Sequence, residues 1–231
     1  MEFRLLKAFR IAFEGHPYHH RDSTVGDRIA LWLYEDLVRL GRSKIFTARV
    51  DSCEVVVNLR NLRVGVPARR GDGTLGELVP GTKTVKVPEF LVARGHIANV
   101  QIGVEVKILS KSMRKQIGRV ASDLQHQVRQ FKRGGGKPIC IGIVGINYAA
   151  EYHSFEGKKE YDAKGKAREA ADVESILDRE AKPDFDEFLF LRYRATNVHP
   201  FPFEWEDEKR TERDCGALLI RVSRKYDEYF G

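Results

Sequence analysis

Two apolar runs constrain this chain more than anything else in it: residues 100–109, Val-Gln-Ile-Gly-Val-Glu-Val-Lys-Ile-Leu, and residues 138–147, Pro-Ile-Cys-Ile-Gly-Ile-Val-Gly-Ile-Asn. The second is hydrophobic at consecutive positions, as a strand covered on both faces must be. Between the two runs, Met113, Ile117, Val120, Ala121, Leu124, Val128 and Phe131 recur mostly at steps of three and four, which marks one face of a helix. Strand, helix, strand in this order folds as a right-handed βαβ unit with its strands parallel. The expected fold class is therefore α/β, a central mixed β-sheet flanked by helices. At 231 residues the chain is long enough to bury a substantial core as one domain.

The remaining segments fit around that unit. Residues 2–13 alternate apolar and charged positions in a way open to either a helix or an edge strand. A helix is expected from Thr24 to about Leu40, with Ser23 or Thr24 as its cap, Asp27 three residues on, and Gly41 as its stop. Ile45–Val50, Glu54–Asn58 and Leu62–Val66 read as short antiparallel strands. Arg69-Arg70-Gly71-Asp72-Gly73-Thr74 reads as a turn, since Asp-Gly tolerates positive φ, with short strands expected at Leu75–Pro80 and Thr84–Val87. Residues 151–167 are charged and loop-like, Ala167–Glu180 a helix and Phe188–Ala195 a strand. Residues 197–214 read as an exposed loop or lid, and Ala217–Phe230 as a closing helix.

The first apolar run carries two charges, Glu105 and Lys107. Side chains alternate along a strand, so these two share a face, while Val104, Val106 and Ile108 point to the other. Burying an isolated charge costs several kcal/mol, so the two either pair or perform chemistry together. The helix that follows adds Lys111, Lys115 and Arg119 at intervals of four, a pattern suited to tracking phosphates.

Glu105-Val106-Lys107 on a strand, followed by a helix containing Lys115-Gln116, resembles the core of the PD-(D/E)xK nuclease superfamily, the restriction-endonuclease-like folds. The resemblance covers residues 24–147. It implies a restriction-endonuclease-like sheet, DNA as substrate, phosphodiester hydrolysis and dependence on Mg²⁺, for which Mn²⁺ can substitute. Such a site needs a second acid on the strand before the Glu-x-Lys strand. The chain departs from the family pattern in having no Pro-Asp pair. Asp72 is the first choice for that acid, Glu77 the alternative and Asp51 a weaker third. The resemblance then implies that Asp72, Glu105 and the Val106 carbonyl hold the metal. Lys107 orients the attacking water or the scissile phosphate, and Lys111, Lys115 and Arg119 hold flanking phosphates. Glu35 on the first long helix and Gln116 are supporting candidates. By analogy with enzymes that cut two antiparallel strands, a homodimer is expected. The alternative is a nuclease-like fold that binds nucleic acid or protein without cutting.

Composition is compatible with this reading. Lys and Arg total 40 against 33 Asp and Glu, a formal charge of +7 and a pI near 9.3, which favours a polyanionic partner. No apolar run is long enough for a membrane span, and the first residues lack the apolar core of a signal peptide. Cys53, Cys140 and Cys215 form no Cys-x-x-Cys pair, Cys53 and Cys140 are expected as buried thiols, and a cytoplasmic location is expected. His16, His19 and His20, with His153 or His199, lack the spacing of a zinc site and read as part of polar loops. Gly134-Gly135-Gly136-Lys137 is not a phosphate-binding loop, because Pro138 follows the lysine and a strand follows the glycines.

Overall fold

In a computed structural model, residues 2–19, 24–59, 72–156, 159–164 and 167–231 are described. They build a seven-stranded mixed sheet with helices on both faces, and a separate two-stranded hairpin. In chain order the elements are α1 (Arg4–Ile11), α2 (Thr24–Leu40), α3 (Lys44–Asp51), β1 (Val55–Asn58), β2 (Gly73–Glu77), β3 (Arg94–Gly95), β4 (Ile102–Leu109) and α4 (Met113–Lys132). There follow β5 (Ile139–Asn147), β6 (Glu151–Glu156), β7 (Lys159–Lys164), α5 (Ala167–Glu180), β8 (Glu187–Ala195), β9 (Phe203–Trp205) and α6 (Glu208–Phe230). The sheet order is β3-β1-β2-β4-β5-β8-β9. The centre, β4, β5 and β8, is parallel, as the apolar runs require. Antiparallel β2 and β9 flank it.

Alternation along the central strands divides the core. Val104 and Val106 of β4, with Ile141 and Ile143 of β5, pack with α1, α2 and α6. Leu109, Cys140, Val144 and Ile146 face the other way, against α4 and α5. Every residue of β5 is buried. Glu105 and Lys107 share the parity of Leu109 and so lie on the α4 side of the sheet.

Several segments differ from their sequence readings. Residues 2–13, open between helix and strand, contain the helix α1. Its first N–H groups, those of Arg4 and Leu5, donate to the Asp36 carboxylate of α2 at 3.0 and 2.9 Å. The expected strand at Ile45–Val50 is the helix α3. Ser43 Oγ accepts from the Phe46 N–H at 2.9 Å, and the buried residues Phe46 and Val50 are one helical turn apart, so the cap and the four-residue spacing outweigh the β-branched composition. The strand expected at Leu62–Val66 lies outside the described residues. At Thr84–Val87 only Val85 bridges, to Arg94. The charged stretch 151–167 contains the β6–β7 hairpin, in which Tyr152 and Ser154 turn inward. The expected lid contributes β9 to the sheet edge, and Trp205 stacks on Phe9 at 5.4 Å. The closing helix begins earlier than its apolar face implies, at Glu208, because Asp207 accepts from the Arg210 N–H at 2.9 Å. Cys53 is half-buried, whereas Cys140 and Cys215 are buried, and all three are free thiols. Among the described residues no helix is long and apolar enough to cross a membrane.

A candidate active site of two carboxylates and a lysine

The antiparallel pairing of β2 with β4 assembles the site. Gly73 lies opposite Val104, so the residue before it, Asp72, falls beside Glu105. The Val106 N–H donates to Asp72 Oδ2 at 2.7 Å. On the other side, the first turn of α2 closes in. A Cβ on Gly26 would lie 2.6 Å from Asp72 Cγ, and a Cβ on Gly73 would lie 2.6 Å from the Ala30 Cβ. Only glycine at these two positions lets the helix reach the strand end and wall in the carboxylate.

Glu105 is 9% exposed at its side chain and Lys107 29%, and Lys107 Nζ donates to Glu105 Oε1 at 2.6 Å. The same-face geometry expected of a strand is thus realised as a direct ion pair. Burial pushes the Asp72 carboxyl up to about 7, and the Glu105 charge adds to that push against the Val106 N–H and Lys107. Burial likewise raises Glu105, against the pull of Lys107. Burial alone would lower Lys107, but Glu105 and Asp72 hold its pKa above the ordinary lysine value. The cluster therefore holds two repelling carboxylates and one cation. Perturbed groups gathered in this way are characteristic of functional sites.

Two further acids act on this cluster that the sequence reading did not include. Asp27, in the first turn of α2, raises Asp72, and Asp123 of α4 raises both Glu105 and Lys107. By sequence Asp27 belongs to the start of a helix, and nothing singles Asp123 out; in the structure Asp123 lies 3.8 Å from Arg119 in an exposed i,i+4 pair. Only the positions of their helices against the sheet connect Asp27 to Asp72 and Asp123 to Glu105.

The structure brings together Asp72, Glu105, Val106 and Lys107, but not the other candidates. Glu77 lies at the far end of β2, where it accepts from Arg49 at 3.1 Å, Asn99 at 2.7 Å and Gln101 at 3.0 Å. Glu35 is fully buried, and its Oε1 accepts from the Leu91 and Val92 N–H groups, each at 2.9 Å. It ties the loop before β3 to α2. Asp51 ends α3 and is exposed. Lys111 precedes α4, is buried, and donates to Ser154 Oγ at 2.6 Å, so it is not part of an exposed phosphate-tracking row. Gln116 is exposed and donates to the Lys111 carbonyl at 3.1 Å. Lys115 and Arg119 are exposed on α4.

The described histidines are not gathered into a group that could hold a metal ion. His19 and His153 both pack on Phe155, at 5.5 and 4.7 Å, His199 packs on Phe201, and His20 lies outside the described residues. Among the described residues no group of three His, Cys, Asp or Glu side chains is arranged to hold a metal ion. The Asp72–Glu105 pair nonetheless fits Mg²⁺, which is commonly held by one or two carboxylates and keeps several waters. Burial raises both carboxyls and the Glu105 charge raises Asp72 further, a cost that a bound divalent cation would relieve. No protein-family model, curated protein or solved structure matches the chain.

Proposed function

We propose that the chain is a metal-dependent deoxyribonuclease that hydrolyses phosphodiester bonds at Asp72, Glu105 and Lys107. The observation that supports this reading is the gathering of a half-buried carboxylate, Asp72, a buried one, Glu105, whose charge raises it, and one lysine, at the point where β2 meets β4. Asp72 and Glu105, with the Val106 carbonyl, would hold Mg²⁺ or Mn²⁺. The bound ion supplies charge neutralisation at a phosphate oxygen and a more acidic water.

The chain's own groups perform the rest. The Val106 N–H fixes one Asp72 oxygen, leaving Oδ1 free of that bond. Lys107 keeps its proton, because its neighbours hold its pKa high. It therefore acts as a hydrogen-bond donor to the attacking water or a phosphate oxygen, and not as a base. Lys115 and Arg119 on the adjoining exposed face of α4 contact flanking phosphates. A pathway in defence or repair is compatible with this chemistry.

The test is cleavage of supercoiled plasmid and of single-stranded DNA, with Mg²⁺ or Mn²⁺ and with EDTA, comparing the natural chain with Lys107→Ala. Expected is metal-dependent cutting that the substitution abolishes while DNA binding and the thermal transition persist. Cutting unchanged by the substitution would remove Lys107 from the chemistry. A folded protein that binds DNA and cuts none of the substrates would favour the second reading, a nuclease-like fold used for binding alone.

A further inference from the structure

Antiparallel β9 covers only the end of β8. It pairs with Tyr193, Arg194 and Ala195, so among the described residues no strand lies beside the first part of β8 on that edge. The Tyr148 N–H donates to the Tyr193 carbonyl at 2.7 Å, and the Glu206 N–H to the Arg192 carbonyl at 3.0 Å. Odd-numbered residues of β8 thus turn their backbone groups to β5, and even-numbered ones turn theirs to the opposite edge. The N–H and C=O groups of Phe188 and Phe190 therefore point off the sheet. A cleft of about 500 Å³ runs along this edge, walled by α5 through Glu174 and Asp178 and by α6 through Arg210, Ala217 and Arg221. Phe188, Leu189 and Phe190 form its floor. An open strand edge is a template for pairing, and proteins usually blunt it with charges, bulges or a cover. Here Glu187, Leu189, Phe190 and Leu191 are at most 9% exposed, so the two helices stand beyond the edge and leave a slot between them.

The slot selects its occupant. A second copy of the chain would bring the same edge between the same two helices, and the walls would meet before the edges did. Nucleic-acid phosphates accept hydrogen bonds but donate none, so they leave the Phe188 and Phe190 carbonyls unpaired. A single extended peptide supplies donors and acceptors in the spacing the edge requires, as in strand addition to an exposed sheet edge. Its side chains would alternate between the two walls. On the α5 side the charges are matched: Arg192 Nε donates to Glu174 at 2.7 Å and Lys182 Nζ to Asp178 at 2.6 Å. The rings of Phe188 and Phe190 lie on that side too. On the α6 side Arg221 pairs with Glu187 at 2.8 Å. Arg210, 49% exposed, has Asp214 at 3.6 Å, and Arg213 shares the same carboxylate at 3.2 Å. Among these described residues the α6 wall therefore carries one positive charge in excess. We propose that the open edge of β8 is completed by an extended segment of a partner protein, with apolar side chains turned to α5 and acidic ones to α6. Charge complementarity with Arg210 and main-chain pairing with Phe188 and Phe190 hold it there.

The test is binding of a fluorescent octapeptide of alternating valine and glutamate to the full chain, followed by anisotropy and by amide hydrogen exchange. Expected is saturable binding that slows exchange at the Phe188 and Phe190 amides. A peptide of alternating valine and lysine should bind about tenfold more weakly. N-methylation of one alternate set of peptide residues should abolish binding, and of the other set should leave it, because only one set faces β8. Arg210→Glu should reverse the preference between the two peptides, an outcome that misfolding cannot produce. Ala217→Phe should fill the slot and abolish binding of both peptides with the thermal transition retained. Failure of the glutamate peptide to bind, indifference to N-methylation at either set, or an unchanged preference in Arg210→Glu would each overturn the proposal. So would displacement of the peptide by a DNA oligonucleotide, or a dimer in sedimentation that Ala217→Phe splits, which would give the edge to nucleic acid or to a second copy. No step of the test involves cleavage at Asp72 and Glu105, so this proposal and the nuclease reading fail separately.

Discussion

Asp72 shows how one residue's meaning depends on its neighbours. By sequence it belongs to a Gly-Asp-Gly turn, yet its carboxylate is walled in by Gly26 and beside Glu105. Burial and that neighbour carry its pKa up to about 7 in protein free of divalent ions, against about 4 in an unfolded chain. Between those values the native state holds a proton the unfolded state has released, so this group's contribution to stability falls as pH rises from about 4 through about 7 and is then level. Asp72→Asn removes the titration. In EDTA its Tm should therefore fall less than that of the natural protein between about pH 5 and about pH 8. Identical Tm profiles would mean that Asp72 ionises as an ordinary exposed carboxylate does. Glu35 and Asp36 make the opposite case. Both are acids buried on a helix, but their oxygens accept backbone N–H groups of Leu91, Val92, Arg4 and Leu5, a role that depends on chain segments distant in sequence.

At the scale of the element, α4 illustrates what periodicity can and cannot convey. Its apolar face, from Met113 to Phe131, packs as its spacing requires. The basic row does not survive intact, because α4 begins after Lys111 and the Lys111 ammonium turns inward to Ser154. Lys115 is exposed on the same helix, so Lys115→Ala should weaken DNA binding to a similar extent for all sequences and lower the slope of log affinity against log salt by about 1. Titrations of fluorescent DNA at several salt concentrations read this directly, and an unchanged slope would place α4 away from the phosphates. Two segments read wrongly differ in cause. In α3, Ile45–Val50 is rich in strand-forming residues, but the Ser43 cap and the spacing of Phe46 and Val50 make it a helix, whose Phe46 packs on Tyr226 at 4.9 Å. β9 lies in a Pro-rich, aromatic stretch, and its partners are elsewhere in the chain: Trp205 packs on Phe9. Local propensity is a weak prior once such contacts form.

For the whole molecule, a net charge of +7 agrees with a polyanionic partner, and its distribution matters more than its sum. A single site per chain can nick one strand, whereas cutting both antiparallel strands in one encounter calls for two chains. If the chain dimerises on DNA, linearisation of plasmid should rise with roughly the square of protein concentration while nicking rises in proportion. Sedimentation velocity on the complex should then show two chains per DNA. First-order linearisation at every concentration would mean that each chain acts alone. What the sequence by itself determined is the parallel centre of the sheet, the helix that crosses it, and the Glu105–Lys107 pair on one strand face. These follow from periodicities of 2 and 3.6 over uninterrupted runs, which local geometry translates directly into faces. What only the tertiary structure decided is which acid joins that pair. Asp72 and Glu77 lie on or beside the same strand, and Asp27, Asp51 and Asp123 on three different helices. The register that sets Gly73 against Val104, and the glycines that admit α2, bring Asp72 to Glu105 and leave Glu77 with Arg49. Strand register and helix approach are set by packing between segments far apart in the chain, and no local pattern records them.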